Sequence, residues 1–190
     1  MLNLKNLLFT DTNGIIHVVY TLDGDSLKII KLNNKILRNA FKNDTTTECV
    51  LLDSKVSVIE LSAFENCSKL QIVEYVEHKE ILTNEDGKIP LLKATNVIIQ
   101  KHAFKNCGML HTVIFPNSEE NGKIVIEKEA FLGCKELRTI VLRGNGFDIA
   151  DDAFKGCDMD KLVFVVSPDS SAERFAREHS FRFVCPDNIQ

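Results

Sequence analysis

The sequence predicts an α/β fold, rich in β-strand, in which about five coils stack into a solenoid with a cap at each end. Three observations predict it: a phrase that recurs five times, a fixed period between its copies, and strand-like alternation after each copy. The phrase is an aliphatic residue, three variable positions, Ala-Phe and, in four copies, Cys three residues after the Phe. A fixed period in the twenties is typical of solenoids whose successive turns bury a shared core.

Residues 1–32 are predicted to form an N-terminal β cap. Its three β-rich runs are 4–10, 15–21 and 26–32. Asn13-Gly14 and Asp23-Gly24 separate these runs, and such dipeptides between β-rich segments are strong signals of hairpin turns. We therefore expect a β-meander that covers the first coil, with its last strand one period before the strand of that coil.

Residues 33–166 are predicted to form the solenoid. The alanines of the phrase lie 23, 40, 27 and 23 residues apart, which is one period of 23 with insertions of 17 and 4 residues; they are Ala40, Ala63, Ala103, Ala130 and Ala153. Six and eight residues past the Cys position stand two apolar residues, and a spacing of two is the strand period. These residues, predicted to point inward, are Val50 and Leu52, Val73 and Tyr75, Val113 and Phe115, Ile140 and Leu142, and Val163 and Val165.

Some coils depart from the phrase. Asp44 stands at the first Cys position, and Asp160 replaces a Leu that three other coils carry three residues past the Cys. The insertion at 77–95 is predicted to form a hairpin that stands off its coil, and the one at 117–122 a polar turn. Each is either a tolerated surface excursion or a loop that carries function.

Residues 167–190 are predicted to form a C-terminal helix-strand cap. Ser170 and Glu173 have the spacing of a capping box, which predicts the start of a short helix. One face of this helix is predicted to carry Ala172, Phe175, Ala176 and His179. A last strand is predicted from Phe181, Phe183 and Val184.

The Phe and Cys positions of the phrase are predicted to form two buried columns. The aromatic column is Phe41, Phe64, Phe104, Phe131 and Phe154, and the cysteine column is Cys67, Cys107, Cys134 and Cys157. Cysteine packs as a small apolar residue, so a ladder of core thiols is favoured. A disulfide between stacked, parallel side chains would strain the coil. A disulfide and a metal site remain the alternatives for these cysteines.

The strand residues between the inward ones are predicted to face outward. Seven of these ten residues are Cys, aliphatic or aromatic, and strands covered on both faces are apolar at consecutive positions in this way. The face is therefore predicted to be covered by a partner protein, by a second copy of the chain, or by the 77–95 insertion and the N-terminal cap. Large apolar patches mark interaction sites. The predicted binding residues are Leu51, Ile72, Ile114, Val141, Leu162 and Phe164.

Composition and charge exclude several classes of function. The net charge of −4 gives no basic footprint, so no nucleic-acid partner is expected. No window approaches the roughly 18 consecutive apolar residues of a membrane-spanning helix, so no membrane insertion is expected. The first residues lack the apolar region and cleavage site of a signal peptide. The sequence as it stands therefore predicts a cytoplasmic protein, or a mature or excised fragment of one that is secreted or at the cell surface.

The sequence carries no motif for catalysis, cofactors or metals. It lacks GxxxxGK[ST], GxGxxG, HExxH and paired CxxC motifs. His102 and His111 lie near Cys107 in sequence and allow a Cys-His pair as an alternative. A reactive thiolate needs a partly exposed, electropositive setting, which a core position does not give. We therefore predict no catalytic residue, no cofactor and no metal, and a protein that is not an enzyme.

Taken together, the repeating unit AFxxCxxLxxIxL resembles the BspA-like leucine-rich repeats over residues 33–166. The resemblance implies a right-handed leucine-rich-repeat solenoid with a short strand on one side and helical or irregular returns on the other. It also implies a non-catalytic protein-protein interaction or adhesion module, with a protein partner or an extracellular ligand. The alternative function is a self-associating structural scaffold domain that pairs through its apolar strand face.

Overall fold

A computed structural model describes residues 17–23, 26–32, 34–53, 56–76, 96–118 and 122–186. It confirms the predicted solenoid of parallel strands. The elements are β1 (His17–Asp23), β2 (Ser26–Leu32), β3 (Lys35–Ile36), β4 (Cys49–Asp53), β5 (Val58–Ile59), β6 (Ile72–Val76), β7 (Val97–Ile99), β8 (Thr112–Ile114), β9 (Ile124–Ile126), β10 (Thr139–Leu142), β11 (Phe147–Ile149), β12 (Val163–Val166), α1 (Ser171–Glu178) and β13 (Arg182–Val184).

Two sheets and a row of turns make the three sides of the solenoid. The long sheet has eight strands in the order β13-β12-β10-β8-β6-β4-β1-β2, and the short sheet has five in the order β11-β9-β7-β5-β3. The Ala-Phe phrase forms the turns that lead from the short sheet back to the long one. From β4 onward the strands are parallel and in register, so Val50 lies opposite Val73 and Ile59 opposite Ile99. Equivalent residues of neighbouring coils are therefore one strand spacing apart, about 4.8 Å.

The five phenylalanines of the phrase stack along the core as predicted. Neighbouring ring centroids lie 4.8 to 5.3 Å apart, and the rings are 3 to 10° from parallel. At the end of the stack the ring of Phe154 instead meets Phe164 and Phe181 edge-on. The alanine before each ring is fully buried in the four later coils, whereas Ala40 of the first coil is exposed. A ring stack inside four fully packed turns explains why this part of the phrase repeats so strictly.

The four cysteines of the phrase are buried thiols, which confirms the predicted ladder. Each thiol donates a hydrogen bond to the Phe carbonyl of the preceding coil. The Sγ atoms of Cys67, Cys107 and Cys134 lie 3.0 Å from the carbonyl oxygens of Phe41, Phe64 and Phe104, and Cys157 lies 3.3 Å from that of Phe131. These bonds tie coil to coil inside the core, and each of these carbonyls also accepts the backbone N–H three residues later in its own turn, so the thiol is its second donor.

Asp44 of the first coil accepts hydrogen bonds, whereas the cysteines at the equivalent positions donate them. In the described residues no Ala-Phe turn precedes this coil, so a thiol here would have no equivalent carbonyl. Asp44 instead accepts hydrogen bonds from the backbone N–H groups of Thr46 and Thr47, at 2.7 and 2.8 Å, and from both threonine hydroxyls. Partial burial tends to raise the pKa of Asp44, but these four hydrogen bonds outweigh it and hold the pKa below its usual value.

Each turn places residues in the left-handed backbone region. The second residue after the Phe has a φ of 58 to 76° in all five coils, and the occupants are Asn43, Asn66, Asn106, Gly133 and Gly156. Asn and Gly are the residues that adopt this region at least cost. The Nδ2 atoms of Asn66 and Asn106 also donate to the Oδ1 atoms of Asn43 and Asn66. Sequence reasoning missed this column, although the recurrence of Asn and Gly after Ala-Phe is visible in the sequence.

The N-terminal end contains an antiparallel strand pair where the second and third runs of the meander, 15–21 and 26–32, were predicted. β1 and β2 form an antiparallel hairpin whose register pairs Asp23 with Ser26. β1 then lies between β2 and β4, antiparallel to both, and pairs Tyr20 with Leu51. The strand one period before the first coil is therefore not the neighbour of that coil. The first strand predicted for this cap and the hairpin predicted at 77–95 lie outside the described residues, as do residues 119–121 of the turn predicted at 117–122.

The C-terminal cap has the predicted helix and strand. The Ser170 hydroxyl accepts from the backbone N–H of Glu173, and the Glu173 carboxylate accepts from the backbone N–H of Asp169. This confirms a capping interaction at the start of α1, which satisfies N–H groups that the first helical turn leaves without partners. β13 pairs in parallel with β12 and extends the long sheet by one strand. Helix and strand together cover the last coil.

Candidate functional site

The outward positions of the long sheet form a surface that we call the outer strand face. It consists of two rows, one residue from each strand, that run along the solenoid. The first row is Cys49, Ile72, Thr112, Thr139, Val163 and Arg182, and the second is Leu51, Glu74, Ile114, Val141, Val165 and Val184. Side chains of a strand alternate between its two faces, so each row shares one face while the residues between point into the core.

Three predicted binding residues lie on this face and remain accessible. Ile72, Ile114 and Val141 are half-buried, whereas the inward residues beside them are 0 to 5% exposed. Leu51 also occupies an outward position but is only 7% exposed. Cys49, in the first row on the same strand, is half-buried, so of the two β4 residues in the rows it is Leu51 that is nearly inaccessible.

The prediction was wrong for Leu162 and Phe164, which are fully buried in the core. Phe164 pairs with the inward residue Ile140, seven residues past Cys157, whereas Ile140 is six past its own Cys. The last coil thus has one extra residue, accommodated where the N–H groups of Lys161 and Leu162 both donate to the Asp158 carbonyl. A shift of one residue turns every side chain of a strand to the opposite face.

Val163 and Val165 take the places predicted for Leu162 and Phe164. Both are half-buried on the outer strand face, and Val184 beside them is 50% exposed. Residues 162–166 are all apolar, so alternation could not fix the register of this strand. Asp160 at the Leu position was the signal that the spacing of this coil differs.

Charged residues with opposite signs border the two ends of the face. Glu74 lies in the second row on β6, and Glu48 directly precedes β4. At the other end lies Arg182 on β13, whereas Arg138 and Arg143 directly precede and follow β10, the middle one of the five long-sheet strands from β6 to β13. Between Glu74 and Arg182 the outward positions of β8, β10 and β12 are Thr, Ile and Val. The face is thus aliphatic in the middle, acidic toward the first coil and basic toward the last.

The cysteines are poorly suited to nucleophilic chemistry. Burial raises the pKa of Cys157 to about 12, and burial together with Cys157 raises the pKa of Cys134. Cys49, on the outer strand face, has its pKa raised to about 11 by burial and by the negative charge of Glu74. Because the thiolate is the reactive form, these environments disfavour it.

The residues of the alternative Cys-His pair each have other partners in the structure. Cys107 donates to the Phe64 carbonyl, and the neighbouring Cys67 thiol together with burial raises the pKa of Cys107. His102 lies 3.1 Å from the Glu129 carboxylate, and His111 lies 3.0 Å from the hydroxyl of Thr112. Within the described ranges, no group of three or more His, Cys, Asp or Glu could hold a metal ion. In the same part of the chain, no helix has the length and apolar character to span a membrane.

Comparison with known proteins identifies the repeat. Residues 3–85 and 97–181 match, in six copies, a family model described as the BspA type leucine-rich repeat region. No curated protein and no solved structure matches the sequence.

Proposed function

We infer that this chain, which belongs to the BspA-type leucine-rich-repeat family, is a non-catalytic interaction module that binds a protein through its outer strand face. Repeat proteins of this family commonly serve protein interaction. The observation that carries the proposal is the pair of rows from β6 to β13, in which six of ten residues are aliphatic and those from β6 to β12 are half-buried on a sheet whose other side is the core. Adhesion to an extracellular ligand is one form that such binding would take.

The fold supports binding by giving this face a rigid base. The outward residues Glu74, Ile114, Val141, Val163 and Val165 each sit between inward neighbours that are no more than 5% exposed, and each long-sheet strand from β6 to β12 is hydrogen-bonded on both sides. Ile, Val and Thr have few side-chain rotamers to lose, so burying them against a partner costs little entropy. Apolar side chains on a preformed surface therefore favour association without rearrangement of the solenoid.

A capture experiment with two matched double variants tests the proposal. Ile114→Asp with Val141→Asp places carboxylates in the centre of the face. Ile98→Asp with Val125→Asp makes the same chemical change at half-buried outward positions of the short sheet. We expect the wild type and the short-sheet variant to retain the same bound protein in a quantitative pull-down, and the face variant to lose it.

Equal capture by all three proteins would contradict the proposal. Circular dichroism of both variants is the control for folding, because outward substitutions should leave the far-ultraviolet spectrum and the melting transition largely unchanged. An unfolded face variant with a folded short-sheet variant would also count against an accessible binding face.

A further inference from the structure

We propose that His179 is a pH-sensitive latch, which holds the end of α1 on the last coil more tightly at mildly acidic pH than at alkaline pH. This latch is separate from the proposed function, because it lies in the C-terminal cap and not on the outer strand face. Both ring nitrogens of His179 lie beside oxygen atoms that have no proton to donate. Nδ1 is 3.0 Å from the backbone carbonyl oxygen of Phe175, and Nε2 is 3.3 Å from Oδ1 of Asp151.

These two neighbours select the charged form of the imidazole. A backbone carbonyl only accepts hydrogen bonds, so Nδ1 has to carry a proton to bond to Phe175. A neutral ring with its proton on Nδ1 turns the lone pair of Nε2 toward the carboxylate of Asp151, which is unfavourable. Protonation of Nε2 replaces that lone pair with an N–H group and a positive charge. The contact with Asp151 is therefore an ion pair only when the ring is an imidazolium.

The other charged residues of the cap and the last coil do not take the place of this pair. The helix carries two acidic and two basic residues, and the turn carries Asp152 beside Asp151; the four on the helix are Glu173, Arg174, Arg177 and Glu178. Arg177 is bound to Glu173 at 2.6 Å. Of the strands packed on α1, β12 has no charged residue, Asp148 of β11 pairs with Lys123, and Arg182 of β13 donates to the Asp160 carbonyl. In the described structure Asp151 is the carboxylate that pairs with His179.

His179 lies where α1 ends and the chain turns into the last strand. It is the C-cap residue of the helix, a position at which the helix dipole favours a cation. The next residue, Ser180, has a φ of 57°, in the left-handed region where glycine is usual at a helix end. The N–H of Phe181 donates to the Ala176 carbonyl at 2.8 Å, and β13 begins one residue later. The latch therefore holds the turn that leads into the last strand of the outer strand face.

Two other histidines whose side chains the structure describes have different surroundings. Nε2 of His102 lies 3.1 Å from Oε2 of Glu129, but Nζ of Lys101 is 3.2 Å from the same oxygen. Because lysine is a cation throughout the range in which histidine titrates, this carboxylate already has a positive partner. Nδ1 of His111 lies 3.0 Å from the hydroxyl of Thr112, which can donate as well as accept. Neither arrangement requires a protonated ring as the one at His179 does.

A double-mutant cycle at two pH values tests the proposal. Wild type, His179→Gln, Asp151→Asn and the variant with both changes are unfolded with urea at about pH 5.5 and at about pH 8, on either side of the histidine titration. The pair requires a proton, so its contribution is present at the lower pH and is lost as the pH rises. Since the side chain of Asp151 is 90% exposed, we expect a coupling of only about two- to fivefold in the unfolding equilibrium constant at about pH 5.5. At about pH 8 the coupling factor should be close to one.

Hydrogen exchange shows whether the effect lies at the end of α1. The amide of Phe181 reports this turn, and the amide of Phe131, which donates to the Ala153 carbonyl in the middle of the solenoid, is the internal control. After correction for the intrinsic exchange rate, the protection of Phe181 should fall about two- to fivefold from about pH 5.5 to about pH 8 in the wild type. In Asp151→Asn this fall should be absent, and the protection of Phe131 should not differ between the two proteins at either pH.

A coupling that is equal at the two pH values, or larger at the higher one, would overturn the inference. If His179→Gln does not fold, wild type and Asp151→Asn decide the question alone, because the exposed Asp151 side chain can be replaced without disturbing the core. A Phe181 amide that is equally protected in these two proteins at about pH 5.5 would then exclude the latch. A protection difference of the same size at both pH values would exclude it as well, since a contact that ignores pH does not depend on the proton of His179.

Discussion

The Ala-Phe turns and the outer strand face repeat with the same period, yet they differ in how strictly their side chains repeat. The turns carry Phe in all five coils and Cys in four, because each ring stacks on its equivalent one coil away and each thiol donates to the Phe carbonyl of the preceding coil. The rows of the face mix Cys, Ile, Thr, Val, Glu and Arg. The solenoid requires the same residue at the Phe and Cys positions of its turns. In the rows of the face it requires only residues that fit a β-strand. Aliphatic residues on the face therefore need an explanation other than folding.

The largest effect is expected from two variants that test which residues of the last coil lie in the core and which lie on the outer strand face. Phe164→Asp places a carboxylate in the core, removes the ring from contact with Phe154 and Phe181, and should prevent folding at room temperature. Val165→Asp, one residue away on the outer strand face, should change the free energy of unfolding by about 1 kcal/mol or less. Urea unfolding followed by circular dichroism measures both. Similar losses for the two variants would contradict the register described here.

The Phe and Cys columns could be predicted from the sequence, because side chains that stack in successive coils recur as the same residue at a fixed spacing. It was insufficient for the last coil, where Leu162 to Val166 are apolar without a break and one extra residue changes the face of every side chain. It also could not show β1 between β2 and β4, since a period gives the distance along the chain and not the neighbour in the sheet. The sequence could not predict that each Cys thiol donates to a Phe carbonyl, because every residue has a backbone carbonyl and the sequence does not distinguish the one that accepts.

A second test compares the middle of the ring stack with its end. Phe131 is fully buried between two parallel rings, so Phe131→Ala should lower the free energy of unfolding by about 3–5 kcal/mol. Phe41 is 9% exposed and stacks on a single ring of the phrase, Phe64, so Phe41→Ala should cost clearly less. Chemical denaturation of both variants checks the order. A larger loss of unfolding free energy for Phe41→Ala than for Phe131→Ala would show that stacking between two rings is not what sets the contribution of each Phe.

The aspartate of the first coil gives a smaller, pH-dependent effect. Asp44→Ala removes four hydrogen bonds at a turn and should cost about 1 kcal/mol at neutral pH. The folded-state pKa of Asp44 is lowered, so its contribution is present above the unfolded pKa of about 3.9 and is lost as the pH falls through the folded value. The difference in stability between wild type and variant should therefore shrink as the pH is lowered from about 6 to about 2. A difference that is independent of pH would mean that the ionised carboxylate is not the stabilising group.

The smallest expected effect concerns a buried hydroxyl of the core, that of Tyr75. Tyr75 continues the inward row, with its ring stacked on Phe115 at 6.1 Å, and its buried hydroxyl has no hydrogen-bond partner in the described structure. An unpaired buried hydroxyl costs about 1–3 kcal/mol, whereas a phenyl ring of the same shape has nothing to satisfy. Tyr75→Phe should thus leave the free energy of unfolding unchanged or raise it by about 1 kcal/mol. A loss of stability would show that the hydroxyl has a partner, and the contrast with the fully bonded cysteine ladder would then disappear.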